Sequence, residues 1–217
     1  MGKENKPEKL NQGMIMKALD YAYDKAINGV PGFDSAEEMA RDYMKNGNNQ
    51  IDNCNSLIRW QNAKAGTSGF LTGLGGVFTL PVAIPANLAS VMYVQIRMIA
   101  AIAYMGGYDL KDDRVKSLVY VCMAGNGAKD ILKDIGIVVG TKFTQQMIAK
   151  ISGKTIAVIN QKIGFRLLTK FGEKGAVNLG KTIPLVGGFI GGTFDSVTTN
   201  VIGNTTRKTF IETRRAA

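Results

Sequence analysis

Residues 84–107 read Ile84-Pro-Ala-Asn-Leu-Ala-Ser-Val-Met-Tyr-Val-Gln-Ile-Arg-Met-Ile-Ala-Ala-Ile-Ala-Tyr-Met-Gly-Gly107. Proline is tolerated in the first turn of a helix and breaks its interior, so Pro85 marks a start. Gly106-Gly107 supplies a stop. The spacing predicts one helix from about Ile84 to Met105. It has the length to cross a bilayer, which takes about 20 apolar residues. Asn87, Ser90, Gln95 and Arg97 argue against a simple span, since an arginine near mid-membrane costs about 3 kcal/mol on insertion scales. Two readings fit: a helix buried in protein, or one that enters lipid shallowly.

Just upstream, Gly66, Gly69, Gly73, Gly75 and Gly76 crowd a stretch that ends at Pro81. It reads as a glycine-rich helix or hairpin over 67–79 followed by a break at 80–85. From Ala65 to Tyr108 Arg97 is the single charged side chain, and from Thr182 to Thr206 it is Asp195. The second stretch predicts a last apolar helix over Ile183–Gly203, with a polar, basic end after it. Four glycine pairs stand four apart: Gly69/Gly73, Gly136/Gly140, Gly187/Gly191 and Gly188/Gly192. On a helix such pairs share a face and let another backbone approach. Exposed helical glycine costs about 1 kcal/mol relative to alanine, so repeated use points to close packing.

The expected fold is therefore all-α, a helical bundle with two glycine-rich apolar helices or hairpins packed at its centre. Residues 1–64 read as an N-terminal helical cap and 65–217 as the main helical domain, the two forming one continuous fold. The cap is predicted to hold helices over 14–28, from Ser35 to about Lys45, and over 51–64. Asn87, Gln95, Arg97 and Asp195 are the candidate polar residues of the apolar region. A buried Arg97–Asp195 pair would let the two apolar segments meet without a free charge.

Charge is lopsided. Residues 1–52 carry seven Lys/Arg and nine Asp/Glu, while 53–217 carry twenty and eight, giving the chain its net +10. A basic body favours anionic partners. Between Lys142 and Lys181 stand eight cations and one acid, Glu173. Within that run Thr155–Phe171 reads as amphipathic, with Ile156, Ile159, Ile163 and Leu167 on one side. Lys162, Arg166 and Lys170 fall on another face. With Lys154 and Lys174 they form a candidate membrane-surface stripe, since a basic amphipathic helix can lie among head groups. The stripe lacks interleaved aromatics, and no nucleic-acid motif accompanies it, so nucleic acid is not expected as a partner.

The chain has no histidine, which removes imidazole-dependent catalysis and metal binding. No catalytic constellation, metal site or cofactor is expected. Cys54 and Cys122 show no C-x-x-C spacing and fit reduced thiols. The polar, lysine-rich start does not resemble a signal peptide. Gly175-Ala-Val-Asn-Leu-Gly180-Lys181-Thr182 matches the phosphate-binding G-x-x-x-x-G-K-[ST] pattern. A true phosphate loop follows a buried strand, whereas Phe165–Lys174 reads as a helix end.

Two ordered blocks carry a resemblance. The first is Gly73-Leu-Gly-Gly-Val-Phe-Thr-Leu-Pro81-Val-Ala-Ile-Pro85-Ala-Asn87 with Gln95-Ile-Arg97 through Gly107. The second is Ile183-Pro184-Leu-Val-Gly187-Gly188-Phe-Ile-Gly191-Gly192 through Asp195 and Asn200–Thr206. Together, over about 66–210, they resemble the EcsC family, named for a protein encoded beside a bacterial ABC exporter. The resemblance implies a bacterial, helical, membrane-associated accessory protein with no known catalytic residues. The expected function is non-catalytic: binding anionic membrane lipids or supporting a membrane transport protein. The expected place is the cytoplasmic side of the membrane, peripheral or shallowly embedded. A soluble interaction module and a nucleotide-binding protein are the alternatives, and the glycine-paired faces fit self-association.

Overall fold

The computed structural model describes residues 10–45, 49–65, 86–137, 143–171 and 188–212, with backbone alone at 64–65, 86–88, 171 and 188–196. Among these residues nine α-helices form a bundle: α1 (Gln12–Asn28), α2 (Ala36–Met44), α3 (Gln50–Ala65), α4 (Ala86–Met105), α5 (Asp113–Met123), α6 (Ala128–Asp134), α7 (Gln145–Ala149), α8 (Gly153–Phe171) and α9 (Gly188–Phe210). No strand occurs among the described residues, and an isolated bridge joins Val30 to Phe33 in the α1–α2 turn. The chain is all-α, as the spacing predicts.

The bundle is organised around α4. Its side chains are buried without interruption from Met92 to Ala103. A helix that is apolar on every side has to be enclosed by protein or lipid. Here α1, α2, α3, α5 and α9 all pack against it. Met92, Tyr93, Ile96, Met98, Ile99 and Ile102 are each fully buried. Burying one such side chain contributes about 1.5–3 kcal/mol. The cap helices thus share one core with the rest of the chain.

Local signals set the helix ends. The Asn11 side chain accepts from the Met14 amide ahead of α1 at 2.9 Å. Ser35 and Glu38 form a reciprocal capping box at the start of α2, at 3.2 and 2.8 Å. Gly107 ends α4 at φ +84°; its amide bonds Tyr104 O and the Tyr108 amide bonds Ala103 O. That is the Schellman pattern that satisfies the last carbonyls. Gly136 ends α6 in the same way at φ +76°. Gly136 is therefore a helix stop and not part of a close-packed helix face, which corrects the expectation for the Gly136/Gly140 pair.

The last helix runs past the expected Gly203 to Phe210. The run Thr205–Thr209 looks polar, yet Thr206 is fully buried. Its hydroxyl donates to Ile202 O at 2.8 Å, and that of Thr209 to Thr205 O at 2.9 Å. A threonine that bonds back to its own helix hides its polarity. Phe210 then closes the core edge-on to Tyr108, with ring centroids 5.1 Å apart.

Glycines do allow close approach, but at positions other than the expected ones. A Cβ on Gly106 would stand 2.6 Å from the Phe210 carbonyl oxygen, and one on Gly203 2.8 Å from Ile58 Cγ1. Of the expected packing glycines, Gly69, Gly73 and Gly187 lie outside the described residues. Gly188, Gly191 and Gly192 lie in α9, where backbone alone is described. Gly106→Ala meets rigid backbone and is expected to lower stability by about 1–3 kcal/mol in urea unfolding. Gly153→Ala meets nothing within 4 Å and is expected to be neutral or to stabilise by up to about 1 kcal/mol. Equal effects of the two would contradict this packing.

Candidate functional site

The helix directions locate the two glycine-rich connections. Gln50 at the start of α3 donates to Met105 O at the end of α4, at 2.9 Å. Further along, Asn55 meets Arg207 and Ile58 meets Gly203. So α3 runs antiparallel to both α4 and α9. Gln95 meets Thr199 and Gly106 meets Phe210, so α4 and α9 run side by side in the same sense. The start of α8 lies by Arg114, which reaches Ala149 O just before it at 3.5 Å. Its Asn160 meets Ser117, and its Arg166 lies on Gly127, close to where Gly125 meets Val201. The ends of α3 and α8 and the starts of α4 and α9 therefore face one end of the bundle. Residues 66–85 join α3 to α4, and 172–187 join α8 to α9. Both connections leave from and return to that same end.

That end also differs chemically. The last two turns of α3 carry Arg59 and Lys64, and those of α8 carry Arg166 and Lys170, with no acid among them. The opposite end mixes charges: Asp52, Asp109, Asp112, Asp113 and Glu212 stand with Lys111, Arg114, Arg207 and Lys208, and Arg114 pairs with Asp112 and Arg207 with Glu212. Trp60, Phe165 and Val197 are 59%, 62% and 58% exposed, the largest values among the large apolar side chains described. They sit on the three helices α3, α8 and α9.

The polar residues of α4 point elsewhere. Arg97 is buried, and its Nη1 donates to the Asp34 backbone carbonyl at 3.1 Å. Its guanidinium lies over the rings of Phe33 and Tyr93, 5.7 and 5.4 Å from their centroids. Two aromatic faces and a carbonyl solvate the cation where water cannot. Among the described residues no carboxylate pairs with it, and its Nε has no partner. The expected partner, Asp195, has backbone alone described, as does Asn87. Gln95 donates to Thr199 Oγ1 over a long 3.5 Å. The side-chain oxygens of Gln95, Gln61 and Asn62 are buried without a partner. The α3–α4–α9 seam thus holds amide groups among apolar ones. The aromatic solvation of Arg97 was missed in the sequence because Phe33 sits in a turn far upstream.

The basic stripe on α8 is partly neutralised. Lys162 pairs with Asp134 at 2.6 Å, and Arg166 approaches Asp130 at 3.9 Å. These acids belong to α6, where they alternate with Lys129 and Lys133 as if for pairing along one helix. The structure turns them across to α8 instead. Lys154 is exposed, Lys170 is half-buried and has a partner, and Lys174 lies outside the described residues. Phe165 lies two positions from both Ile163 and Leu167, which places it on the opposite face of α8; that signal was readable in the spacing.

The thiols and phenols with raised pKa values are held neutral by burial. The Cys54 and Cys122 thiols are each pushed up to about 12, as is the Tyr108 hydroxyl. Burial also raises Tyr23 and Tyr120, whose hydroxyls donate to Leu110 O and to Asp20. A neutral thiol is a poor nucleophile. Among the described residues no three His, Cys, Asp or Glu side chains are grouped to hold a metal ion. The phosphate-loop match at 175–182 lies outside the described residues, and the described element before it is the helix α8. No helix among the described residues is long and apolar enough to cross a membrane.

Arg97→Ala strips the Asp34 carbonyl of its donor and empties the space between two rings. It is expected to cost about 2–4 kcal/mol in chemical denaturation. Arg97→Met, which keeps the apolar stem, is expected to cost less. A loss below about 0.5 kcal/mol for Arg97→Ala, the range of ordinary surface changes, would mean the guanidinium is not buried as described.

No curated protein and no solved structure matches the chain. The sequence profile of the EcsC protein family matches residues 7–214, nearly its whole length, and both ordered glycine–proline blocks fall inside that match. The chain belongs to the EcsC family.

Proposed function

We infer that this protein is a non-catalytic, membrane-associated member of its family that binds anionic lipid at the cytoplasmic face of a bacterial membrane or supports a membrane transport system there. One observation carries the reading: two glycine-rich connections leave from the same end of the bundle, and the first of them is wholly uncharged. Residues 66–85 contain no charged side chain at all. An uncharged, glycine-rich segment together with a second connection that carries Lys174 and Lys181 against Glu173 alone suits a surface that offers both an apolar layer and anionic head groups. The surrounding cations favour anionic head groups, each contributing about 1 kcal/mol near such a surface. The α8 stripe contributes less than its composition suggests, because Asp130 and Asp134 answer two of its cations.

The purified chain is expected to float with vesicles containing phosphatidylglycerol and to leave neutral vesicles largely unbound at low salt. Raising salt weakens the electrostatic part. A fraction that resists high salt marks entry of apolar segments into lipid. Absence of flotation under every condition would defeat the membrane reading and favour a soluble interaction module.

A further inference from the structure

We propose that the outward face of α8 is an interface between two copies of this chain, packed antiparallel across a two-fold axis that passes beside Gln161. The inference stands apart from the membrane reading and needs no lipid.

The core takes one side of α8: Ile159, Ile163 and Leu167 are fully buried. On the other side Val158 is 41% and Phe165 62% exposed. They stand seven positions apart, so they align on one face, about 10.5 Å from each other along the helix. Gln161 lies between them and is exposed. One exposed apolar side chain is ordinary on a protein surface, but a valine and a phenylalanine in line form a ridge. That ridge reads alike in both directions. When two antiparallel copies are centred between Gln161 and Lys162, Val158 of each meets Phe165 of the other. This is the self-complementarity that a closed two-fold interface requires. The ridge is also lateral. Arg166 lies on Gly127, and nearby Gly125 meets Val201, which puts Phe165 level with the middle of α9.

The flank of the ridge supplies the charge match. Residues Gly153–Phe171 carry four cations and no acid, so two such helices alone would repel each other. Asp134 and Asp130 of α6 reach across to Lys162 and Arg166 and lower that repulsion. Lys162 stands beside the two-fold axis, so the Lys162–Asp134 pairs of the two copies fall side by side. Each carboxylate then faces the ammonium of the other copy as well as its own. Such complementarity fixes register more than it adds affinity. The same acids disfavour anionic lipid on this face. Asp130 and Asp134 have side chains 74% and 53% exposed and would be pressed against the head groups.

One helix face makes a small interface, so the dimer is expected to form only at about 10–100 µM chain. Sedimentation velocity of the intact chain, without lipid, is expected to move from monomer to dimer across that range. Phe165→Asp is expected to weaken association at least about tenfold with an unchanged urea midpoint, because the site is exposed. Val197→Asp, at an exposed site on α9, is expected to leave association unchanged. Gln161→Cys is expected to cross-link into a covalent dimer under mild oxidation, since the axis brings its two copies within disulfide reach. Cys54 and Cys122 are buried and do not compete. Trp60→Cys, exposed on α3, is expected to cross-link far more slowly. A chain that stays monomeric throughout the range would overturn the proposal. So would association weakened equally by Val197→Asp, or cross-linking of Gln161→Cys no faster than that of Trp60→Cys.

Discussion

Enclosure of α4 is the constraint on which the rest of the structure depends. A helix buried from Met92 to Ala103 leaves its neighbours little choice. Five helices pack around it, and the chain can join them only at the two ends. Dispersion and burial hold this arrangement, and polar groups are admitted where a local solution exists. Arg97 is accepted because Phe33, Tyr93 and the Asp34 carbonyl replace its water. Thr206 is accepted because its hydroxyl turns back onto Ile202 O. Gly106 is required because the Phe210 carbonyl oxygen occupies the space of its missing side chain.

The same constraint sorts the chain into two unlike ends. The end at Gly106, Tyr108 and Phe210 is closed by rings, short turns and the buried Phe143, whose amide bonds Thr209 O. Acids and cations mix there, with Arg114 paired to Asp112 and Arg207 to Glu212. The other end receives both glycine-rich connections. A bundle with one closed end and one end that carries both connections has a direction. In our account that direction is the function: the closed half keeps the bundle soluble while the other half meets lipid. The buried thiols and phenols are held neutral by burial and take part in packing.

Much of this was legible in the residues, and the failures have physical causes. Proline and glycine punctuation placed α4 within two residues, because Pro85 and Gly106-Gly107 act locally. Ser35 and Glu38 marked α2 for the same reason. Sequence spacing misread the end of α9, since a threonine's polarity disappears when its hydroxyl bonds its own helix. It misread Gly136, since a small residue four from another looks alike in a helix face and in a helix stop. The α8 stripe looked uniformly available because its acidic partners lie on α6, a separate element whose own alternation hid their direction. Phe165 was visible as an outward position from its spacing to Ile163 and Leu167. For Arg97 one ring, Tyr93, lies four residues earlier on the same helix, but the other, Phe33, and the Asp34 carbonyl come from a distant turn that no local pattern marks.

The central claim, that one end of the bundle is the lipid-facing end, is tested most directly by hydrogen–deuterium exchange of the intact chain with and without anionic vesicles. The account predicts slowed exchange in the last turns of α3 and α8 and the first turns of α9, and no change around Gly107–Asp113 and Phe143–Ala149. Protection confined to the Gly107–Asp113 end, or spread evenly along α8, would contradict it.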